Sequence, residues 1–273
     1  MEKRSVCFFM LYHKRPELTR MSMWHMAKAI KIFNEAGHKA QGIVVGCGSC
    51  EPKQREYAEK LGLEHLNKKN EPLESKFSFT FINALLKETD YICWIGSNNI
   101  HSDEYWGKCI KTLEGPREVT FGSNKFCVMN ADRGVEGTCV FQTRSERHLC
   151  SSGQFYLNYS LSQAVNFRSI YHPGQKFNFD GKINDAFANK WGNSVIKLIN
   201  SEPNDCFDIK DSTNIHSYES YMKRSPATYP KYKDRSELVE EYEEFKLLDL
   251  GYFSLRTDKI VEPGADLSEL ERI

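Results

Sequence analysis

The polar residues of this chain that could do chemistry sit where apolar runs stop. The run Tyr91-Ile92-Cys93-Trp94-Ile95 ends abruptly at Gly96-Ser97, and two side-chain amides, Asn98 and Asn99, follow. Val6 to Leu11 gives way to Tyr12-His13-Lys14-Arg15-Pro16, and His38 to Val45 gives way to Gly46-Cys47-Gly48-Ser49-Cys50. Short apolar runs bounded by turn residues read as buried strands, so each polar cluster is a strand-exit loop. Gly-Ser followed by two amides offers backbone and hydrogen-bonding groups to a ligand, and is equally ordinary turn chemistry. A further stretch, Tyr221 to Arg235, interleaves Lys223, Arg224, Lys231, Lys233 and Arg235 with Tyr229 and Tyr232. That mixture suits a nucleic-acid backbone with a stacked or flipped base, a lid over a diphosphate, or a solvated loop. Two patterns carry less. Cys47-Gly48-Ser49-Cys50 is half a zinc site with no second pair, and Gly46-Cys47-Gly48 lacks the third glycine of a dinucleotide fingerprint.

The elements that must position these groups are legible from spacing. Pro16 suits a first helical turn; Met23, Met26, Ala27, Ile30 and Phe33 share one face, and Gly37 ends that helix. Helices are expected over 52–61 and 74–87, a short strand over 63–66, and a helix capped by Asp103 carrying Trp106, Ile110 and Leu113. Trp94 and Trp106 read as core. Strands alternating with helices imply parallel strands and right-handed crossovers, so the exit loops share one rim and could converge on one ligand. After residue 114 the pattern changes to shorter strands at 118–121, 125–129 and 138–143 and a short helix at 145–150. A helix from Asp180 through Lys190 and strands at 195–199 and 206–210 follow, the last strand expected. The chain divides on this reading into 1–114, a Rossmann-like half, 115–235, a smaller half of the same domain, and 236–273, an acidic helical tail.

Bulk properties narrow the classes. The 273 residues carry zero formal net charge, 40% hydrophobic and 27% charged side chains. That composition belongs to soluble globular proteins and favours neither nucleic acid nor membrane globally. No apolar run is long enough to span a bilayer. Nine cysteines, an odd number, point to free thiols in a reducing compartment. The opening Met1-Glu2-Lys3-Arg4-Ser5-Val6 lacks a signal-peptide pattern, so a cytoplasmic protein is expected.

In order, these stretches resemble glycosyltransferases of the GT-A type, in particular the small ones of tailed bacteriophages. The resemblance rests on Met10-Leu11-Tyr12-His13-Lys14-Arg15-Pro16-Glu17, on Asn70 to Ser78, on Asp90 to Ile100, and on Asp208-Ile209-Lys210 with Asn214-Ile215-His216-Ser217. It implies an α/β fold, a GT-A-like Rossmann-type mixed sheet flanked by helices with a smaller acceptor subdomain. The resemblance makes 1–114 the nucleotide-sugar-binding half and 115–235 the acceptor-binding half. It also implies a nucleotide-sugar donor, a UDP-sugar by preference, and an acceptor hydroxyl, foremost that of 5-hydroxymethylcytosine in phage DNA within the host cytoplasm. Donor contacts then fall to Tyr12, His13, Arg15, Lys76, Ser97, Asn98 and Asn99, with Tyr12 able to stack on a base or to sit in the core. Metal contacts fall to Asn99 and His216, and DNA contacts to Lys223, Arg224, Lys231 and Lys233. An inverting route needs a base at the acceptor, for which Asp180 is the first choice and Asp185 the second. Asp180 equally reads as a helix cap and Asp185 as a solvated position. Asp132 could bind sugar hydroxyls or serve a turn.

The departure from the family lies at Asn98-Asn99, where it has aspartates holding Mn2+ or Mg2+. Hard cations prefer carboxylate oxygens, so metal affinity should fall sharply. Three explanations compete: a weakly held metal, a metal-free site in which Arg15, Lys76 or a basic residue of 223–235 neutralises the leaving group, or a protein without activity. Transfer to a glycan or protein, and a degenerate fold used only for binding, stand as alternatives to a DNA acceptor.

Overall fold

The computed structural model describes residues 2–47, 52–70, 73–130, 138–143, 149–150, 152–164, 179–210 and 231–273. The first part runs β1 (Ser5–Leu11), α1 (Pro16–Glu35), β2 (Lys39–Gly46), α2 (Pro52–Lys60), β3 (Glu64–Asn67), α3 (Leu73–Leu85), β4 (Tyr91–Trp94), β5 (Asn99–His101) and α4 (Asp103–Leu113). Then come β6 (Thr120–Gly122), β7 (Lys125–Asn130), β8 (Thr138–Thr143), β9 (Gln154–Leu157), α5 (Asn158–Ala164), α6 (Phe179–Trp191), β10 (Ile196–Leu198), β11 (Cys206–Lys210), β12 (Lys231–Asp234), α7 (Arg235–Glu241) and α8 (Glu243–Asp249).

Among the described residues a seven-stranded sheet has the order β10-β6-β9-β4-β1-β2-β3. β4, β1, β2 and β3 are parallel neighbours, as the alternating pattern predicts. β9 enters antiparallel between β4 and β6. A second sheet, β12-β8-β7-β11-β5, packs beyond the rim, with β5 antiparallel to β11. The alternation along β1 explains its continuous apolar run. Val6, Phe8 and Met10 face one core with Met21, Trp24, Phe33 and Trp106, while Cys7 and Phe9 face another with Phe77, Phe81, Trp94 and Phe187. A strand covered on both faces has no polar side to show. Cys7, Cys93, Cys109 and Cys127 are buried thiols.

Several boundaries differ from the sequence expectation. Ser102, rather than Asp103, caps α4: its side chain accepts from the Tyr105 N–H at 2.9 Å. Asp180 lies inside the first turn of α6 rather than before it. The 195–199 strand is shortened by a 3-10 turn over Asn193–Val195. β11 is not the last strand, because β12 pairs with β8. Residues 149–150 are not helical, and the rest of the 145–150 expectation falls outside the described residues. The tail is helical only to Asp249. Beyond it the chain is strapped to α1 by side-chain bonds to its carbonyls: Trp24 Nε1 donates to Val261 O at 2.6 Å, Arg20 Nη1 to Ser254 O at 2.6 Å and Lys31 Nζ to Pro263 O at 2.9 Å. No helix among the described residues is long and apolar enough to cross a membrane.

Candidate functional site

The carboxyl ends of β1, β2, β3 and β4 meet at one rim, and side-chain bonds tie their loops together. Arg15 Nη2 donates to Ser97 Oγ at 3.2 Å, joining the loop after β1 to the turn after β4. His13 Nδ1 lies 3.3 Å from Cys47 Sγ after β2, and Tyr12 Oη lies 2.9 Å from His65 Nε2 in β3. Lys76 of α3, fully buried, donates to the Tyr12 carbonyl. The donor-site residues expected from sequence are thus brought to one rim. The Tyr12 ring itself is packed in the core, 3% exposed, so of its two readings the structure gives the core one. Burial, reinforced by Arg55 and Lys76, pushes His65 down to about 4, leaving its imidazole neutral.

The loop after β1 is held in an uncommon backbone. Lys14 and Arg15 both have positive φ, 59° and 50°. Non-glycine residues there cost about 1–2 kcal/mol each. The conformation is held by bonds on the loop carbonyls: Thr19 N–H donates to Arg15 O at 2.9 Å and Thr19 Oγ1 to Lys14 O at 3.2 Å. Such strain concentrates at functional rims. Here it turns the Arg15 side chain toward Ser97, while Pro16, needing no hydrogen bond, starts α1.

The Gly96 to Asn99 turn is equally fixed. Gly96 N–H donates to Ser152 Oγ at 3.0 Å, and a Cβ on Gly96 would lie 1.8 Å from Asn99 Oδ1. Only glycine leaves room for the Asn99 amide to fold back over it. Asn99 Nδ2 donates to Phe207 O at 3.1 Å; Asn98 Nδ2 donates to Ile209 O at 2.6 Å and to Asp208 Oδ1 at 2.8 Å. The other Asp208 oxygen takes Lys210 Nζ at 2.7 Å. Both amides therefore spend their N–H groups on β11.

Behind the turn lies a sealed polar cluster. His25 Nδ1 of α1 pairs with Glu244 Oε1 of α8 at 2.7 Å, both side chains being fully buried. The His101 N–H donates to His25 Nε2 at 3.0 Å, and Lys28 sits 3.9 Å from the same carboxylate. Burial holds His101 well below its ordinary value, so it stays neutral. Burial opposes ionisation of Glu244, but the hydrogen bond from His25 and the nearby Lys28 ammonium outweigh it and lower the carboxyl below its ordinary value, so it stays ionised. This cluster anchors the end of β5, the strand that begins with Asn99.

Do these groups fit the divalent cation that the family's acidic pair would hold? Asn99 offers an oxygen already folded over Gly96, and the described carboxylate beside the turn, Asp208, carries an ammonium 2.7 Å away. Two unit charges 4 Å apart repel by about 4 kcal/mol near a protein surface, and a dication beside Lys210 would double that. Among the described residues no group of three or more His, Cys, Asp or Glu side chains could hold a metal ion. The described donor set does not fit a hard divalent cation.

The remaining expected residues are scattered or fall outside the description. Asp185 is exposed on α6, and Asp180 is described only as backbone. Asp132, His216, Lys223 and Arg224 lie outside the described residues, and Lys231 and Lys233 are described only as backbone in β12. Sequence reasoning missed Asp208 and Lys210 as site residues, along with the His25–Glu244–His101 cluster. The first two stand in a stretch that carries the family resemblance, and that was the available signal. The cluster has no local signature.

No protein-family model matches the chain, and no curated protein does. Solved structures do. S. aureus TarS 1-349 superposes with a TM-score of 0.51 at 12% identity, over 75% of this chain and 60% of that one. S. aureus TarS 1-349 in complex with UDP gives 0.50 at 13% identity, over 76% of this chain and 60% of that one. The chain thus spans about 60% of the length of these neighbours. At such identity the likeness establishes architecture: a mixed α/β fold of the GT-A-like, Rossmann type. Binding and chemistry rest on the site itself.

Proposed function

We propose that the protein transfers a sugar from a nucleoside diphosphate sugar, a UDP-sugar by preference, to a hydroxyl. The observation that carries this is the meeting of Arg15, Lys76 and the Ser97-Asn98 turn at one carboxyl rim, where open α/β sheets bind ligands. A neighbour of the same fold holds UDP. In this reading Arg15 stabilises the departing diphosphate, while Lys76, fully buried on the Tyr12 carbonyl, holds the loop that carries it; preorganised charge is commonly the largest catalytic contribution. Asp180, with Asp185 as second choice, takes the acceptor proton. The acceptor we favour is 5-hydroxymethylcytosine in phage DNA, on the strength of the family resemblance and the basic-aromatic stretch from Tyr221 to Arg235. Such a base must leave the stack to be reached.

The test is incubation with UDP-sugars and hydroxymethylated DNA, with and without EDTA, followed by mass spectrometry of the nucleosides. A hexose or pentose increment on hydroxymethylcytosine is the expected result. An increment on a glycan or protein acceptor alone would replace the DNA reading. UDP binding without transfer to any acceptor would leave a binding protein of the same fold.

A further inference from the structure

The turn that bears two amides in place of two aspartates has a cation on either side, each contributed by a different element. Arg15, from the loop after β1, sits on Ser97. Lys210, the last residue of β11, sits on Asp208, whose other oxygen receives Asn98. The Lys210 and Asp208 side chains are only 10% and 15% exposed. A lysine is almost never buried without a partner, and a buried ion pair is seldom retained for stability alone, since apolar replacements of equal volume are often as stable.

We infer that Lys210 is a donor-site cation that binds the diphosphate of the nucleotide, and that Asp208, braced by Asn98, is the positioning residue that aims it. The inference deepens the UDP-sugar reading above and rests on it. Charge accounts for the unusual turn. Two aspartates with a dication are together neutral. Two amides with Asp208, Lys210 and Arg15 carry one net positive charge. Replacing the acidic pair by amides is a loss only if the cation is a metal. When the cations are side chains, aspartates at 98 and 99 would instead cancel them. The amides do a second task that carboxylates could not: their N–H groups bond to Asp208 and to the β11 carbonyls, holding the lysine-bearing strand against the turn. The strand register supports the same arrangement, with Asp208 opposite Asn99 and the Ile209 N–H donating to the Asn98 carbonyl at 2.9 Å.

The experiment measures UDP and uridine binding to the full chain, UDP by calorimetry and uridine by saturation-transfer NMR, in EDTA and again with Mn2+. In the wild type, UDP affinity in EDTA should match that in Mn2+. Lys210→Met should weaken UDP by about ten- to a hundredfold, the range for a lost charge-assisted hydrogen bond, and leave uridine unchanged. Lys210→Arg should retain most of the UDP affinity. Asp208→Asn should weaken UDP but not uridine, a selectivity that a merely structural loss would not produce. UDP binding that requires Mn2+, or equal UDP affinity in Lys210→Met and wild type, overturns the inference and leaves the UDP-sugar reading standing. So does a parallel loss of UDP and uridine in both Lys210 variants. Failure of the wild type to bind UDP under either condition overturns both.

Discussion

The front and back of the turn that leads into β5 are built from different materials. Behind it, His25, His101 and Glu244 form a sealed network that reaches from α1 to α8, with no exposed side chain. In front, Arg15, Ser97, Asn98, Asp208 and Lys210 are joined by hydrogen bonds between loops and strand ends. The back determines where the strand lies; the front determines what charge the rim presents. The difference teaches that stability and binding should separate by mutation across a three-residue strand.

The largest effect should come from the back. Glu244→Ala removes the carboxylate from buried His25 and from half-buried Lys28. Breaking a buried pair from one side costs about 3–5 kcal/mol. Denaturant unfolding should show that loss, while the protein that remains folded keeps its UDP affinity. Unchanged stability, or lost affinity at full stability, would erase the distinction between the two sides.

A smaller effect is expected where the two sides touch. Gly96→Ala would place a methyl group 1.8 Å from Asn99 Oδ1. The amide must swing out and give up its bond to Phe207 O. Overpacking of this kind costs about 1–3 kcal/mol. If the clash is the cause, Asn99→Ala should absorb most of that cost, so the two substitutions should be strongly non-additive. Additive losses from denaturant curves would mean that Gly96 is needed for another reason.

The contrast between the two sides also explains what could be read from the sequence. Buried runs punctuated by Gly and Pro mark β1, β2 and β4, and their parallel alternation is enough to put Tyr12, Arg15 and Ser97 at one rim. Nothing local marks β9, which enters the sheet beside β4 from some sixty residues further on. Glu244 stands among acidic neighbours that look alike in sequence, and only its pairing with His25, 219 residues away, takes it out of solvent. Asp208 pairs with Asn98 across 110 residues. Local chemistry is legible because secondary structure has a period. Long-range pairs have none, and the partners that define this site are of that kind.

The smallest effect is a pH dependence that sharpens the assignment of His101 to the back. Its folded value lies well below the ordinary 6.5, with burial the main cause and His25 adding to it. The unfolded chain takes up a proton as pH falls below about 6.5 and the folded chain does not, so the unfolded state binds more protons and stability falls with falling pH. The stability is fully present above that point and is lost toward the folded value, at a limiting slope of roughly 1.4 kcal/mol per pH unit. Glu244, lowered below 4.5, adds nothing until more acid conditions. His65, at about 4, and His38, lowered by burial and by Lys3, act in the same direction. His65 is only half-buried, so solvent screens its share. His101→Asn isolates the contribution: unfolding curves between pH 7.5 and 5 should be flatter in the variant than in the wild type. Equal slopes would place the acid sensitivity at the rim, with His65, and not behind the turn.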